Sequence, residues 1–143
     1  MWRRLKNFSA SLSTYADLSP DMRVRRRVKK LLHDRSDLSA EVWFEKFWFS
    51  LEVAKPVADF VYVYLQKYSG LAVGRIQPDD RLVEDLRLPL ICWFDWEITL
   101  CEDFCCCFGV DLSDRFQTQK FITVKDLVTF LNRQLLSVNH FQA

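Results

Sequence analysis

Five cysteines, Cys92, Cys101, Cys105, Cys106 and Cys107, fall within sixteen residues, and three of them are consecutive. Sulfur in that density can ligate a soft metal, form a disulfide or act as a nucleophile. An odd count on one segment is a poor disulfide framework, because adjacent cysteines rarely reach bridging geometry. Structural zinc sites draw ligands from separated pairs in loops and ribbons, and one helix cannot wrap three successive residues around an ion. The thiols are therefore expected to be buried as small apolar side chains. Cys106, on the polar side of its helix, is the one expected to be exposed and oxidisable. No metal site and no cofactor are expected, and a reducing cytoplasm suits unpaired thiols.

Charge is the second chemical feature. Between positions 84 and 111 the acids Glu84, Asp85, Asp95, Glu97, Glu102, Asp103 and Asp111 face Arg87 alone. Between Arg23 and Arg35 the sequence reverses, with Arg23, Arg25, Arg26, Arg27, Lys29, Lys30 and Arg35 against Asp34. The net charge of +1 thus hides +5 on residues 1–50 and −4 on residues 51–143. The two parts should attract each other, or different partners. Glu97 reads as a carboxylate near a helix N-terminus, stabilised by the dipole or by an Arg of the basic segment, in preference to an acid with a raised pKa. His33 and His140 are isolated in sequence and read as surface residues. With no paired carboxylates, nucleophile-base spacing or Gly-rich phosphate loop, no catalytic residue is assigned and an enzyme is not expected.

The elements that would position these groups are helical. A chain of 143 residues, half of them hydrophobic and 15% aromatic with three Gly and four Pro, suits one packed domain without long linkers. Its apolar runs fall short of the roughly 20 residues of a membrane span. Residues 1–16 are basic, Ser-rich and free of acids, but their sparse apolar positions disfavour a transit peptide and no secretory core is present. Ser19-Pro20-Asp21 reads as a helix start, with Ser19 as cap, leading into a basic amphipathic helix whose apolar stripe is Val24, Val28 and Leu31. Ser39 caps a second segment, 41–49, crowded with Trp43, Phe44, Phe47, Trp48 and Phe49, where helical spacing pairs Phe44 with Trp48 and Trp43 with Phe47. Pro56 opens a third helix carrying Val57, Phe60, Val61, Tyr64, Leu65 and Tyr68, and Gly70 closes it.

Residues 71–81 form a loop with the turn chemistry of Pro78-Asp79-Asp80. A central helix comes next, between Trp93 and Phe108. Its polar arc holds Asp95, Thr99, Glu102, Asp103 and Cys106, and an apolar arc roughly 200° wide predicts cover on more than one side, the aromatic segment 43–49 supplying part of it. Gly109 stops this helix. Thr123 with Asp126 approximates a capping box for a last helix striped by Val124, Leu127, Val128, Leu131 and Leu135.

This order resembles the acyl carrier protein bundle. Three stretches carry the likeness: Ile76-Gln77-Pro78-Asp79-Asp80-Arg81-Leu82-Val83-Glu84-Asp85-Leu86, Phe108-Gly109-Val110-Asp111-Leu112, and Phe121-Ile122-Thr123-Val124-Lys125-Asp126-Leu127. Together they cover about residues 55–136, and the pattern is similar to a family of small bacterial proteins of uncharacterised function that share the carrier bundle. The resemblance implies Asp-Ser-Leu at the head of the central helix, the Ser hydroxyl being the nucleophile that receives phosphopantetheine. No Ser or Thr lies between Leu86 and Phe94, so that chemistry is absent. The interval from Asp85 to Phe108 is also about four residues longer than in carriers.

The expectation is an all-α, acyl-carrier-like bundle over residues 51–143 with a basic and aromatic helical extension over residues 1–50. Its function would be non-catalytic, binding a protein partner through Glu84, Asp85, Asp95, Glu102 and Asp103 or through the aromatic patch. The alternative is nucleic-acid or anionic-surface binding by the basic patch of Arg23, Arg25, Arg26, Arg27, Lys29 and Lys30.

Overall fold

The computed structural model describes residues 19–116 and 120–142; the acid-free start at 1–16 and the side chain of His140 lie outside the described residues. Helix α1 spans Met22–Leu32. Its cap is Asp21 rather than Ser19: the Asp21 carboxylate accepts the N–H groups of Arg23 and Val24 at 3.0 and 3.2 Å, the reach expected of an oxygen directly before the first turn. Val24, Val28 and Leu32 face inward. Leu31, expected inside, is 75% exposed, because the inward row runs along the i, i+4, i+8 ridge by which helices interdigitate.

Ser39 caps α2, Ala40–Trp43, and accepts from Val42 N at 3.3 Å. A π-helical turn, Phe44–Trp48, and a 3-10 turn, Phe49–Leu51, come next. The π turn changes which aromatic residues meet. Its hydrogen bonds close over five residues instead of four, so Trp43 and Trp48 come together edge to face with centroids 5.3 Å apart, both fully buried. Trp43 also meets Tyr62 at 5.5 Å and donates its indole N–H to the Ile76 carbonyl at 2.8 Å.

Helix α3, Lys55–Ser69, carries Pro56 in its first turn and ends at Gly70, whose φ of 75° is the left-handed conformation that glycine adopts without strain. The aromatic segment packs on this helix. Phe60 of the same helix meets Phe104 and Phe108 at 5.3 and 5.8 Å, so α3 packs against both the aromatic segment and the central helix. After Gly70 the chain makes a 3-10 turn, Val73–Arg75. Gly74 is required there: a Cβ would lie 2.1 Å from the Leu38 carbonyl oxygen.

The expected central helix is divided. Leu88–Ile91 forms a short α4 with Pro89 in its first turn, Cys92 is extended, and α5 runs from Trp96 to Phe108. Gly109, at φ 70°, ends it as predicted. Helix α6, Val124–Gln142, begins with the predicted capping box: Asp126 N donates to Thr123 Oγ1 at 3.2 Å and Thr123 N to Asp126 Oδ2 at 3.1 Å. Partial burial pushes the Asp126 carboxyl up, but the hydrogen bonds from Thr123 and Ile122 outweigh it and hold the group below its ordinary value. Val24, Val28, Leu32, Trp43 and Trp48 belong to one buried cluster with Val61, Leu100, Leu127 and Leu131. Among the described residues there is no strand, only the isolated Arg81–Thr123 bridge, and no helix long and apolar enough to cross a membrane.

The two buried indoles differ in one respect. Trp43 has its acceptor, whereas the Trp48 N–H has none among the described residues. Replacing Trp43 by Phe strands the Ile76 carbonyl, while replacing Trp48 by Phe removes a donor that had no acceptor. Trp43→Phe should therefore cost about 1–3 kcal/mol more than Trp48→Phe. Urea unfolding of both variants measures the difference, and equal losses would contradict it.

Candidate functional site

The acids of the second half do not all reach one surface. Glu84 and Asp85 sit in the turn before α4, where Arg81 bonds both; its Nε lies 3.1 Å from Asp85 Oδ2 and its backbone N 2.8 Å from the same oxygen. Those bonds hold the Asp85 carboxyl below its ordinary value. Asp95 is 6% exposed, turned inward directly before α5 although Trp93 and Phe94 ahead of it are exposed. Asp103 accepts the Tyr68 hydroxyl at 2.6 Å and lies 3.8 Å from Lys67, so it faces α3. Burial, and then this bond to a carboxylate, push the Tyr68 phenol well above its ordinary range. Asp95 and Asp103 thus add little to an outward acidic surface. Glu102 is exposed.

Glu102 borders an open groove of about 760 Å³ along α5, with Glu97 and Asp111 beside it and Ile98, Cys101 and Phe116 as apolar lining. Glu97 stands in the first turn of α5, where the helix dipole favours a carboxylate. The groove exists because α5 is covered on one side only: Trp96, Leu100 and Phe104 are its buried residues, an i, i+4, i+8 seam against α3 instead of the wide arc expected. The width of an apolar arc measures what a helix could bury, and the neighbours available decide how much it does.

The same seam corrects the reading of the thiols. Cys92 is buried and Cys101 half-buried, but Cys105, Cys106 and Cys107 are all exposed. Cys105 and Cys106 border the groove, and Cys107 Sγ lies 3.6 Å from the Tyr64 hydroxyl. Burial pushes the Cys92 thiol up to about 12 and that of Cys101 to about 11. Among the described residues no cluster of three His, Cys, Asp or Glu side chains could hold a metal.

No family model matches this chain, and neither the curated proteins nor the solved structures give a match. Its chemistry has to be read from its own surfaces. The second of these is basic. Arg23, Arg26, Arg27, Lys29 and Lys30 of α1 are exposed and form no salt bridge with a described carboxylate. Arg25 turns inward and donates to the Ile91 carbonyl at 2.6 Å, tying α1 to α4.

The contact that sequence reasoning missed is Arg35 with Asp80. The guanidinium grips both carboxylate oxygens at 2.6 and 3.0 Å. The only sequence signal was Pro78-Asp79-Asp80, which reads as turn chemistry and does not identify a remote cation.

Exposure orders the thiols by reactivity, since the thiolate is the attacking species and burial suppresses it. At about pH 8 a disulfide reagent such as dithionitrobenzoate should label Cys105, Cys106 and Cys107 in the native protein, with Cys101 slow and Cys92 silent until unfolding. Peptide mapping after timed quenching reads the order. Labelling of Cys106 alone would restore the buried-cysteine reading.

Proposed function

We propose that this chain is a non-catalytic interaction protein, built on an acyl-carrier-like bundle without the serine, that binds a protein partner in the groove along α5. The carrier likeness is supported by the element order: α3, a long loop, the central α5, an irregular segment and α6. The separate α4 also accounts for the extra residues between Asp85 and Phe108.

The groove is the observation that carries the function. Ile98, 55% exposed, lies there with Cys101 and Phe116 between the carboxylates of Glu97, Glu102 and Asp111. Apolar surface framed by one sign of charge suits a partner that offers an apolar side chain flanked by Lys or Arg, the apolar contact giving affinity and the charges orientation. Nucleic-acid or anionic-surface binding by α1 is the second reading, supported by its five exposed cations. It ranks lower because α1 carries no aromatic side chain on which a base could stack.

Affinity capture from host extract with cross-linking, run in parallel on the parent, Ile98→Asp and Glu102→Lys, should yield proteins that both variants lose by about tenfold or more, a difference of roughly 1.4 kcal/mol in binding. Because both side chains are exposed, the melting temperatures should stay unchanged. Capture of the same proteins by all three would remove the groove as the docking site. Incubation with coenzyme A and a promiscuous carrier-modifying transferase should leave the mass of the protein unchanged, and a gain of one phosphopantetheine arm would replace the interaction reading with a carrier.

A further inference from the structure

A second cleft, of about 330 Å³, lies between the end of α1 and the turn after α3. It uses none of the groove residues. Lys29 and His33 from the end of α1 and Arg75 from the turn after α3 line it together with Leu32 and Leu71, and no carboxylate does. Arg75 is fixed from two directions: its NH1 donates to the His33 carbonyl at 2.8 Å, and its own carbonyl accepts from Arg35 at 3.0 Å. Its Nε is buried without an acceptor among the described residues.

The bland account of these cations is neutralisation of helix ends, since α1 and α3 both terminate here. The magnitudes do not close. Two C-termini present about −0.5 charge each, roughly one negative charge in all. Against it stand Lys29 and Arg75 in the lining, while Arg25, bonded to the Ile91 carbonyl, holds its guanidinium 3.1 Å from where a Gly70 Cβ would be. About one positive charge is left over in a cleft that no carboxylate lines. Lys29 and His33 are exposed and Arg75 is half-buried, so an anion can reach all three, and an excess of positive charge in a concave surface draws one in.

We propose that Lys29, His33 and Arg75 form a binding site for the phosphate group of a small phosphorylated ligand. Arg presents a planar fork of donors that matches phosphate oxygens, Lys adds a point charge, and the imidazole adds a ring N–H. The volume lies at the lower end of small-molecule sites, enough for a phosphate and a compact body against Leu32 and Leu71. Arg26 and Arg27, exposed on α1 and absent from the cleft lining, are the internal control for a merely basic surface.

Amide NMR titration with inorganic phosphate, at ionic strength held constant with chloride, tests the site. Saturable shifts confined to residues near 29–33 and 70–75 are expected. Lys29→Gln, an exposed position that folding does not depend on, should weaken phosphate binding tenfold or more. Arg75→Gln should do the same, and the Arg26→Gln/Arg27→Gln double variant should bind as the parent does. Vesicles of phosphatidylcholine with and without phosphatidic acid separate the sources of phosphate, and no difference in co-sedimentation is expected. Shifts that chloride reproduces, or that survive Lys29→Gln, would overturn the proposal. Vesicle binding lost in the Arg26/Arg27 variant but kept in Lys29→Gln would overturn it too, in favour of a membrane-facing helix.

Discussion

One carboxylate, Asp80, ties together parts of the chain that share no local structure. Its side chain takes the Arg35 fork and the Gln77 N–H at 2.7 Å, while its backbone carbonyl accepts from Val124 N at 2.9 Å. The segment after α1, the loop after α3 and the start of α6 therefore meet at one residue. Arg35 extends the junction by donating to the Arg75 carbonyl. The hydrogen bond to Asp80 raises the Arg35 pKa further above its ordinary value, so the cation is permanent. Breaking a fully buried pair costs about 3–5 kcal/mol. The side chains here are 33% and 9% exposed, so roughly 1.5–3 kcal/mol, the scale of charged hydrogen bonds, is the fitting magnitude. That is a large share of a domain stability of about 5–15 kcal/mol.

Sequence makes legible whatever a residue settles with its immediate neighbours. Gly70 and Gly109 end helices because a left-handed residue there satisfies the last carbonyls, and Thr123 with Asp126 starts one because both partners lie within four residues. The inward positions of α3 and α6 follow from a single periodicity. Failures occur where the outcome depends on a distant neighbour. Leu31 and Leu32 are equivalent by composition, and the angle of α1 on the body chooses Leu32. The aromatic segment reads as α-helix by spacing, yet a π turn wins because it buries both indoles together against α3. The candidate site suffers most from this. Glu102 is outward as read, but Asp95, directly before a helix start, and Asp103, bonded to a tyrosine, are turned in as no local pattern reveals.

The charge asymmetry does survive into the structure as geometry. The side-chain bonds that cross between the basic first part and the acidic remainder end mostly on neutral backbone carbonyls. Arg35 makes an ion pair, whereas Arg25 bonds to a neutral carbonyl, so most of the α1 cations remain available outside. Glu97 and Glu102 of α5 likewise stay around the groove. An acidic apolar groove and a basic cleft therefore coexist on one small body and suit different ligands, one by apolar contact with orienting charge, the other by charge with a small apolar wall.

Helix α4 joins α1 to the start of α5. Asp21 N donates to the Leu90 carbonyl at 2.7 Å and Arg25 to that of Ile91, so α1 rests on α4 by its first turn. Leu88, Ile91 and Cys92 are buried beneath it, and the chain leaves α4 through the buried Asp95 directly into α5. On the proposed carrier likeness, a chain without this extra turn would run from loop to central helix with no seat for α1. The departure from the carrier pattern at Pro89 and the docking of a basic helix are in that sense one structural event. It seats the first turns of α1 on α4, through Asp21 and Arg25, and leaves Ile98 and Glu102 on the outer face of α5 exposed.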